Sequence, residues 1–340
     1  MSKINKLGII CNIQLSGQTG GAEIFYRKLY EYFSKYVECV DLIEVECSEN
    51  TFEDILTGYL RCYDLELKDY DGIISSKAPT YGIRHKNHVC YLMHTIRVFY
   101  DMFDEIKQDK SNYDKRKLIY RLDKEFLSPP MTKRLFSIGH EVSNRLYKHI
   151  GINSEPLHPG ITSEGFYSEG YDYIFMPGRL HKWKRVDLVI EAMNYVKAPV
   201  KLKIAGTGEH MNIFKEMAKE DSRIEFLGFV KDDYMRKLYA NSLAVMFTPI
   251  SEDYGYILHE AFKSYKPVIT CADSGEPTQF VKHGENGYIA QANPKDIAKY
   301  IDLIYEGKES AKRMGENGYK TIENITWDNV VKTLLKALEE

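Results

Sequence analysis

The chain has 340 residues, 46 Lys and Arg against 49 Asp and Glu, and a formal net charge of -3. That length suggests two domains of ordinary size, and the near balance of charge argues against a dedicated nucleic-acid binder. None of the six cysteines forms a C-x-x-C pair, which leaves neither a zinc site nor a redox dithiol and reads as free thiols in a reducing compartment.

From the amino terminus, KLGIIC (6–11) reads as a buried strand and GGAEIFYRKLYEYFSKY (20–36) as an amphipathic helix. Between them lies SGQTGG (16–21). Its glycines would let backbone approach a ligand, and the helix start behind them favours an anion. The spacing is neither G-x-G-x-x-G nor a Walker loop, so a flexible turn is the plainer alternative. Strands follow at DLIEVE, DGIISS and NHVCYLM. Asp69-Tyr70-Asp71 spells D-x-D but precedes its strand, away from the carboxyl ends where ligands bind, and reads as surface loop. His94 closes the strand VCYLMH, where a satisfied core histidine is the ordinary outcome. Residues 107–134 hold nine basic and four acidic side chains with Tyr113, Tyr120 and Phe126 interleaved. A solvated helical face and a membrane-facing surface are both open readings. LFSIG and EVSNRLYKHI complete the first half as strand and helix.

After Gly160 the alternation restarts. YIFMPG, KLKIAG, RIEFLG and LAVMFTP are short strands, each ending in a turn signal. VDLVIEAMNYV, MNIFKEMAKE, DYMRKLYAN and GYILHEAFKSY are the helices between them. GRLHKWKRVD (178–187) follows its strand directly. Arg179 supplies a planar fork and Lys184 a point charge, with Lys182 and Arg185 adding to the cluster, a set suited to a diphosphate. Gly206 in AGTGEH reads first as a tight turn. SEDYGYILHE (251–260) places Glu252 in a loop and Glu260 one turn into a helix, so two carboxylates can meet the hydroxyl pairs of a sugar and a ribose. The end, ITWDNVVKTLLKALEE, reads as a helix.

The predicted fold class is therefore α/β, with two Rossmann-like doubly wound domains facing a central cleft. No segment reaches the apolar length of a membrane span, and the apolar run at the amino terminus, MSKINKLGII, is too short for a signal peptide. A soluble cytoplasmic protein is expected, with peripheral membrane contact through 107–134 left open.

These pieces, in this order, resemble the family-4 retaining glycosyltransferases of the GT-B fold. The densest match is GRLHKWKRVD, IAGTGE, FLGFV, SEDYGYILHEAF and HGENGYIA. The resemblance implies an acceptor-binding domain over 1–165, a nucleotide-sugar domain over 166–322, and a terminal helix, 323–340, crossing back to the first. It implies Arg179 and Lys184 on the donor diphosphate, Glu260 on the ribose, and Glu252 on hydroxyls of the transferred sugar. The amides of Asp253, Tyr254, Gly255 and Tyr256 would brace sugar and phosphate. Gly20, Gly21 and Gly206 would approach the donor, Phe229 and Val230 would flank the base, and His94 would lie near the sugar. Front-face transfer with retention follows, the leaving phosphate taking the acceptor proton. The substrates implied are a nucleotide-diphosphate sugar and a glycan or lipid-linked acceptor, with no cofactor and no essential metal. Two departures bear on the donor sugar: Glu-Asp-Tyr-Gly stands where the family often has Glu-Gly-Phe-Gly, and SGEPTQF where it often has G-G-x-x-E. A non-catalytic nucleotide-sugar binder on the same scaffold is the alternative. A nicotinamide oxidoreductase is disfavoured by the missing dinucleotide fingerprint.

Overall fold

The computed structural model describes residues 4–13, 21–161 and 164–340. They form two compact units, residues 1–160 with 325–340, and residues 161–324.

The first unit is one six-stranded parallel sheet. Its strands are β1 (Lys6–Ile13), β2 (Cys39–Glu46), β3 (Gly72–Lys77), β4 (His88–His94), β5 (Arg134–Ser137) and β6 (Glu155–Pro156), in the order β2-β1-β3-β4-β5-β6. Helices α1 (Gly21–Phe33), α2 (Phe52–Tyr63), α3 (Lys110–Phe126) and α4 (His140–Ile150) connect them. β3 is buried along its whole length, as a central parallel strand covered on both faces must be. α2 begins with a reciprocal cap: the Asp54 amide donates to the Thr51 hydroxyl, and the Thr51 amide to the Asp54 carboxylate. α3 is capped by Asp109, whose side chain accepts from the Asn112 amide. It is anchored by Asp123, a buried carboxylate that accepts from the hydroxyls of Tyr59, Tyr81 and Tyr100, each at 2.5 Å. Burial raises the pKa of Asp123 and the three phenol bonds oppose that shift.

The second unit is another six-stranded parallel sheet. β7 (Tyr173–Pro177), β8 (Lys201–Ala205), β9 (Ile224–Gly228), β10 (Ser242–Met246), β11 (Val268–Cys271) and β12 (Gly287–Ala290) lie in the order β12-β11-β10-β7-β8-β9. Its helices are α5 (Val186–Met193), α6 (Met211–Ala218), α7 (Asp232–Ala240), α8 (Tyr256–Lys263), α9 (Pro277–Phe280), α10 (Pro294–Glu306) and α11 (Lys308–Ile322). From β7 the chain winds outward to β9. It then returns to the other side of β7 with β10 and winds outward to β12. The winding reverses between β7 and β10, and it is at the strands' carboxyl ends beside such a reversal that open α/β sheets bind ligands.

The last helix, α12 (Trp327–Glu339), packs in the first unit. Trp327 is buried edge-on against Phe25, with ring centroids 5.5 Å apart. The Lys133 ammonium donates to the Leu338 carbonyl at 3.1 Å. Among the described residues no helix is long and apolar enough to cross a membrane.

Candidate active site

Three strand ends of the second unit are stitched into one floor. Gly178, after β7, donates to the Ala205 carbonyl at 2.9 Å, and Gly206, after β8, donates to Gly228 at 2.8 Å. Gly206 has φ +133°, and a Cβ there would stand 1.9 Å from the Gly178 carbonyl oxygen. Only glycine satisfies both demands. Leu180 then donates to Thr207 at 2.9 Å, which fixes the path of the β7 loop.

On this floor the Arg179 side chain is exposed, and its guanidinium makes no hydrogen bond or ion pair among the described residues. His181 accepts from the Trp183 amide through Nδ1 and sets Nε2 2.8 Å from Glu209. Lys184 ends the short turn 182–184 and donates from Nζ to Glu252 Oε2 at 2.6 Å. Both side chains are about a quarter exposed, at 28% and 23%. Arg185 sits at φ 52° and grips Asp273 with both terminal nitrogens. Its charge is thus committed within the protein.

The loop after β10 carries Glu252 and is braced from two sides. Ile250 donates to Trp183, Ser251 to Asp273 and Glu252 to Ser274, while Glu276 donates back to Glu252. Asp253 is half-buried, Tyr254 is buried, and the Tyr254 ring lies 4.5 Å from that of His259. Gly255 has φ +92° and packs so tightly on Phe247 that a Cβ would come within 2.5 Å of the ring. Tyr256 opens α8, which carries no side-chain cap. One turn in, Glu260 accepts from the hydroxyl of buried Tyr239 at 2.7 Å. Burial pushes the Glu260 carboxyl up to about 7. The Tyr239 bond pulls it down, and Asp232 adds to the rise. After β9, Phe229 is 79% exposed and Val230 is buried.

Arg179, Lys184, Glu252 and Glu260 therefore all follow β7 or β10, the two strands that flank the reversal. Gly206, Phe229 and Val230 follow β8 and β9. His94 and Gly21 belong to the first unit. His94 ends β4 half-buried, its Nδ1 3.0 Å from the Thr95 carbonyl oxygen, and Gly21 opens α1. Gly20 lies outside the described residues. Asp71 of the D-x-D tripeptide accepts from the amides of Asn5 and Lys6 at 2.9 and 2.8 Å, a structural tie at the start of β1.

Sequence reasoning passed over three residues. Tyr239 carried no signal beyond its place on the apolar face of a helix. Asp273, 88 residues from Arg185, carried none. Lys77 had one: a lysine closing an apolar strand at its carboxyl end. It is buried, paired in register with His94, and 3.6 Å from Glu49. Directly after His94, the buried Thr95 hydroxyl has no hydrogen-bond partner among the described residues.

Two parallel, doubly wound sheets, with a cationic and carboxylate cluster at the second sheet's winding reversal, define the GT-B class. Solved structures share the fold over the whole chain. Sucrose-phosphate synthase from Thermosynechococcus elongatus superposes with a TM-score of 0.75 at 14% identity, covering 98% of both chains. The Anabaena protein Alr3699/HepE in complex with UDP-glucose gives 0.70 at 14% identity, covering 98% of this chain and 99% of that one.

Residues 163–321, most of the second unit, match the family described as Glycosyl transferases group 1. An uncharacterized glycosyltransferase of Methanocaldococcus jannaschii is 28% identical over 166 residues. That match covers 47% of this chain and 42% of the relative, so the chain spans less than half of the relative's length.

Proposed function

We propose that the protein is a retaining hexosyltransferase that moves a sugar from a nucleotide-diphosphate donor to a hydroxyl acceptor in glycan or glycoconjugate biosynthesis. The observation that carries the reading is the exposed Arg179, which makes no ion pair among the described residues, together with the Lys184–Glu252 pair, all following the two strands where the sheet reverses. Breaking the glycosidic bond of such a donor separates an oxocarbenium-like sugar from an increasingly negative diphosphate. Fixed cations aimed at that charge lower the barrier because they need no reorganisation as it grows. Arg179 and Lys184 supply them, and in this reading no essential metal is required. Glu252 takes hydroxyls of the sugar, Glu260 takes the ribose, and the amides from Asp253 to Tyr256 brace both. Gly206, Phe229 and Val230 frame the nucleotide. His94 is assigned a contact with the sugar that moves. The leaving phosphate oxygen accepts the acceptor's proton as the new bond forms on the same face, so the configuration is retained and no side-chain base is needed. The similarity in fold to a protein solved with UDP-glucose supports a nucleotide-sugar donor.

The Glu260→Gln variant tests the ribose assignment. At pH 8 it should bind donor at least about tenfold more weakly, the loss of one charge-assisted pair, and transfer should be undetectable. Undiminished activity would remove Glu260 from the site. Release of nucleotide diphosphate across a panel of UDP, GDP and ADP sugars separates an enzyme from a binder. Binding without turnover on every donor and acceptor tried would favour the non-catalytic alternative.

For a lipid-linked acceptor, the basic surface of residues 107–134 is the candidate membrane contact, with Lys107, ahead of α3, 83% exposed and Lys117 on α3 70% exposed. The protein should then co-sediment with vesicles containing anionic lipid, release with added salt, and ignore neutral vesicles. Equal recovery with both vesicle types would remove this contact from the proposal.

A further inference from the structure

We propose that Tyr239 is a positioning residue of the donor site, its buried hydroxyl holding one oxygen of Glu260 so that the carboxylate stays ionised and oriented toward the donor's hydroxyls. The inference rests on the reading of Glu260 as the ribose contact and adds what governs it.

The geometry leaves the phenol little freedom. Tyr239 is fully buried in α7, and its ring is held edge-on by Phe175 at 5.1 Å and Phe166 at 5.4 Å between centroids. Its hydroxyl reaches Glu260 Oε2 at 2.7 Å, a charge-assisted length. Burial and the neighbouring carboxylate raise the pKa of the phenol itself well above its usual value, so the group only donates. A fixed donor favours the ionised form of its acceptor. With Oε2 engaged, Oε1 keeps its lone pairs for hydroxyl groups, and a carboxylate can receive two of them.

The opposing influences are also local. Burial and Asp232 both favour the protonated acid. Of the other elements packed on α8, β10 and β11 contain no charged residue, and α11 carries Lys308, Glu309, Lys312, Arg313, Glu316 and Lys320, but Asp232 is the charge that acts on Glu260. His259, the residue before it in α8, lies tilted against Tyr254 and edge-on to Phe280. Glu260 is thus balanced between two states. A protonated Glu260 must donate through one oxygen and loses part of its capacity to accept, so donor capture weakens as pH falls.

The test is donor binding by calorimetry from pH 6 to pH 9, with UDP, GDP, ADP and their glucose conjugates as probes. Wild type, Tyr239→Phe and Glu260→Gln are compared, and each variant's melting temperature is checked first. Glu260→Gln has no carboxyl to titrate and supplies the baseline for ionisation of the ligand's own phosphates. Relative to that baseline, wild-type affinity should rise about tenfold between pH 6 and pH 8, as one group titrating near 7 requires. In Tyr239→Phe the rise should move about one pH unit upward. Affinity should then be about fivefold weaker at pH 7 and nearly restored at pH 9, with KM for donor affected and kcat at saturation little changed. A uniform loss at every pH, or a wild-type profile, would overturn the inference while Glu260→Gln still bound weakly. Wild-type binding by Glu260→Gln would instead overturn the ribose assignment, and this inference with it.

Discussion

Exchange of Lys184 for methionine should lower kcat/KM for transfer by about a hundredfold to a thousandfold, the range seen when one preorganised electrostatic contact to a transition state is removed. Methionine keeps most of the stem, so packing around the turn 182–184 is retained while the charge is lost. Two effects add. On the proposed reading the leaving diphosphate loses one of its two cations, and Glu252, bonded to Lys184 at 2.6 Å, is left as an uncompensated carboxylate near the donor. Repulsion from Glu252 should weaken donor binding too, so KM rises as kcat falls. Lys184→Arg restores the charge but not the compact shape, and should recover only part of the rate. Steady-state kinetics with an unchanged melting temperature check the result. A loss smaller than tenfold in Lys184→Met would show that the diphosphate is held elsewhere.

The parts of this site that could be read in the sequence are those carried by short, local signals. G-R-L-x-x-x-K follows a strand and announces cations at a strand's carboxyl end. E-x7-E announces two acids across a loop-to-helix junction, and the β/α alternation places both at strand ends. What local signals do not contain is which side chain answers which. Arg185 looked as available as Lys184, yet its guanidinium is clasped by Asp273, while Lys184 pairs with Glu252. The Tyr239–Glu260 bond joins two helices whose residues are 21 apart, and nothing in DYMRKLYAN marks its tyrosine as other than core. The segment Phe52–Tyr63 went unassigned although Thr51 and Asp54 spell its cap, because one T-x-x-D among many polar runs is weak evidence until the backbone closes it. The sheet's reversal between β7 and β10 is likewise a property of strand order, and alternation alone does not fix strand order. It is this reversal that turns two separate loops into one site.

Gly206→Ala should be strongly damaging to the second unit. The position demands φ +133°, which an L-residue adopts at a cost of about 1–3 kcal/mol. Its Cβ would also lie 1.9 Å from the carbonyl oxygen of Gly178. That neighbour is backbone, and it is held by its own amide's bond to Ala205, so it cannot rotate away as a side chain would. Strain and collision together should cost about 3–5 kcal/mol, the range of exceptional single substitutions. At about 2–4 °C per kcal/mol for a unit of this size, the second unit should melt about 10 °C lower. Gly284→Ala is the control: φ is +80°, and a Cβ there meets nothing within 4 Å. It should lose about 1 kcal/mol from backbone strain alone. The difference between the two variants then measures the collision. The same displacement would carry Gly178 and Arg179 out of place, so donor affinity should fall in Gly206→Ala even at temperatures where the unit remains folded. A variant that melts within about 2 °C of wild type and binds donor normally would show that the β7 and β8 loops move independently, and that the floor beneath Arg179 is not rigid.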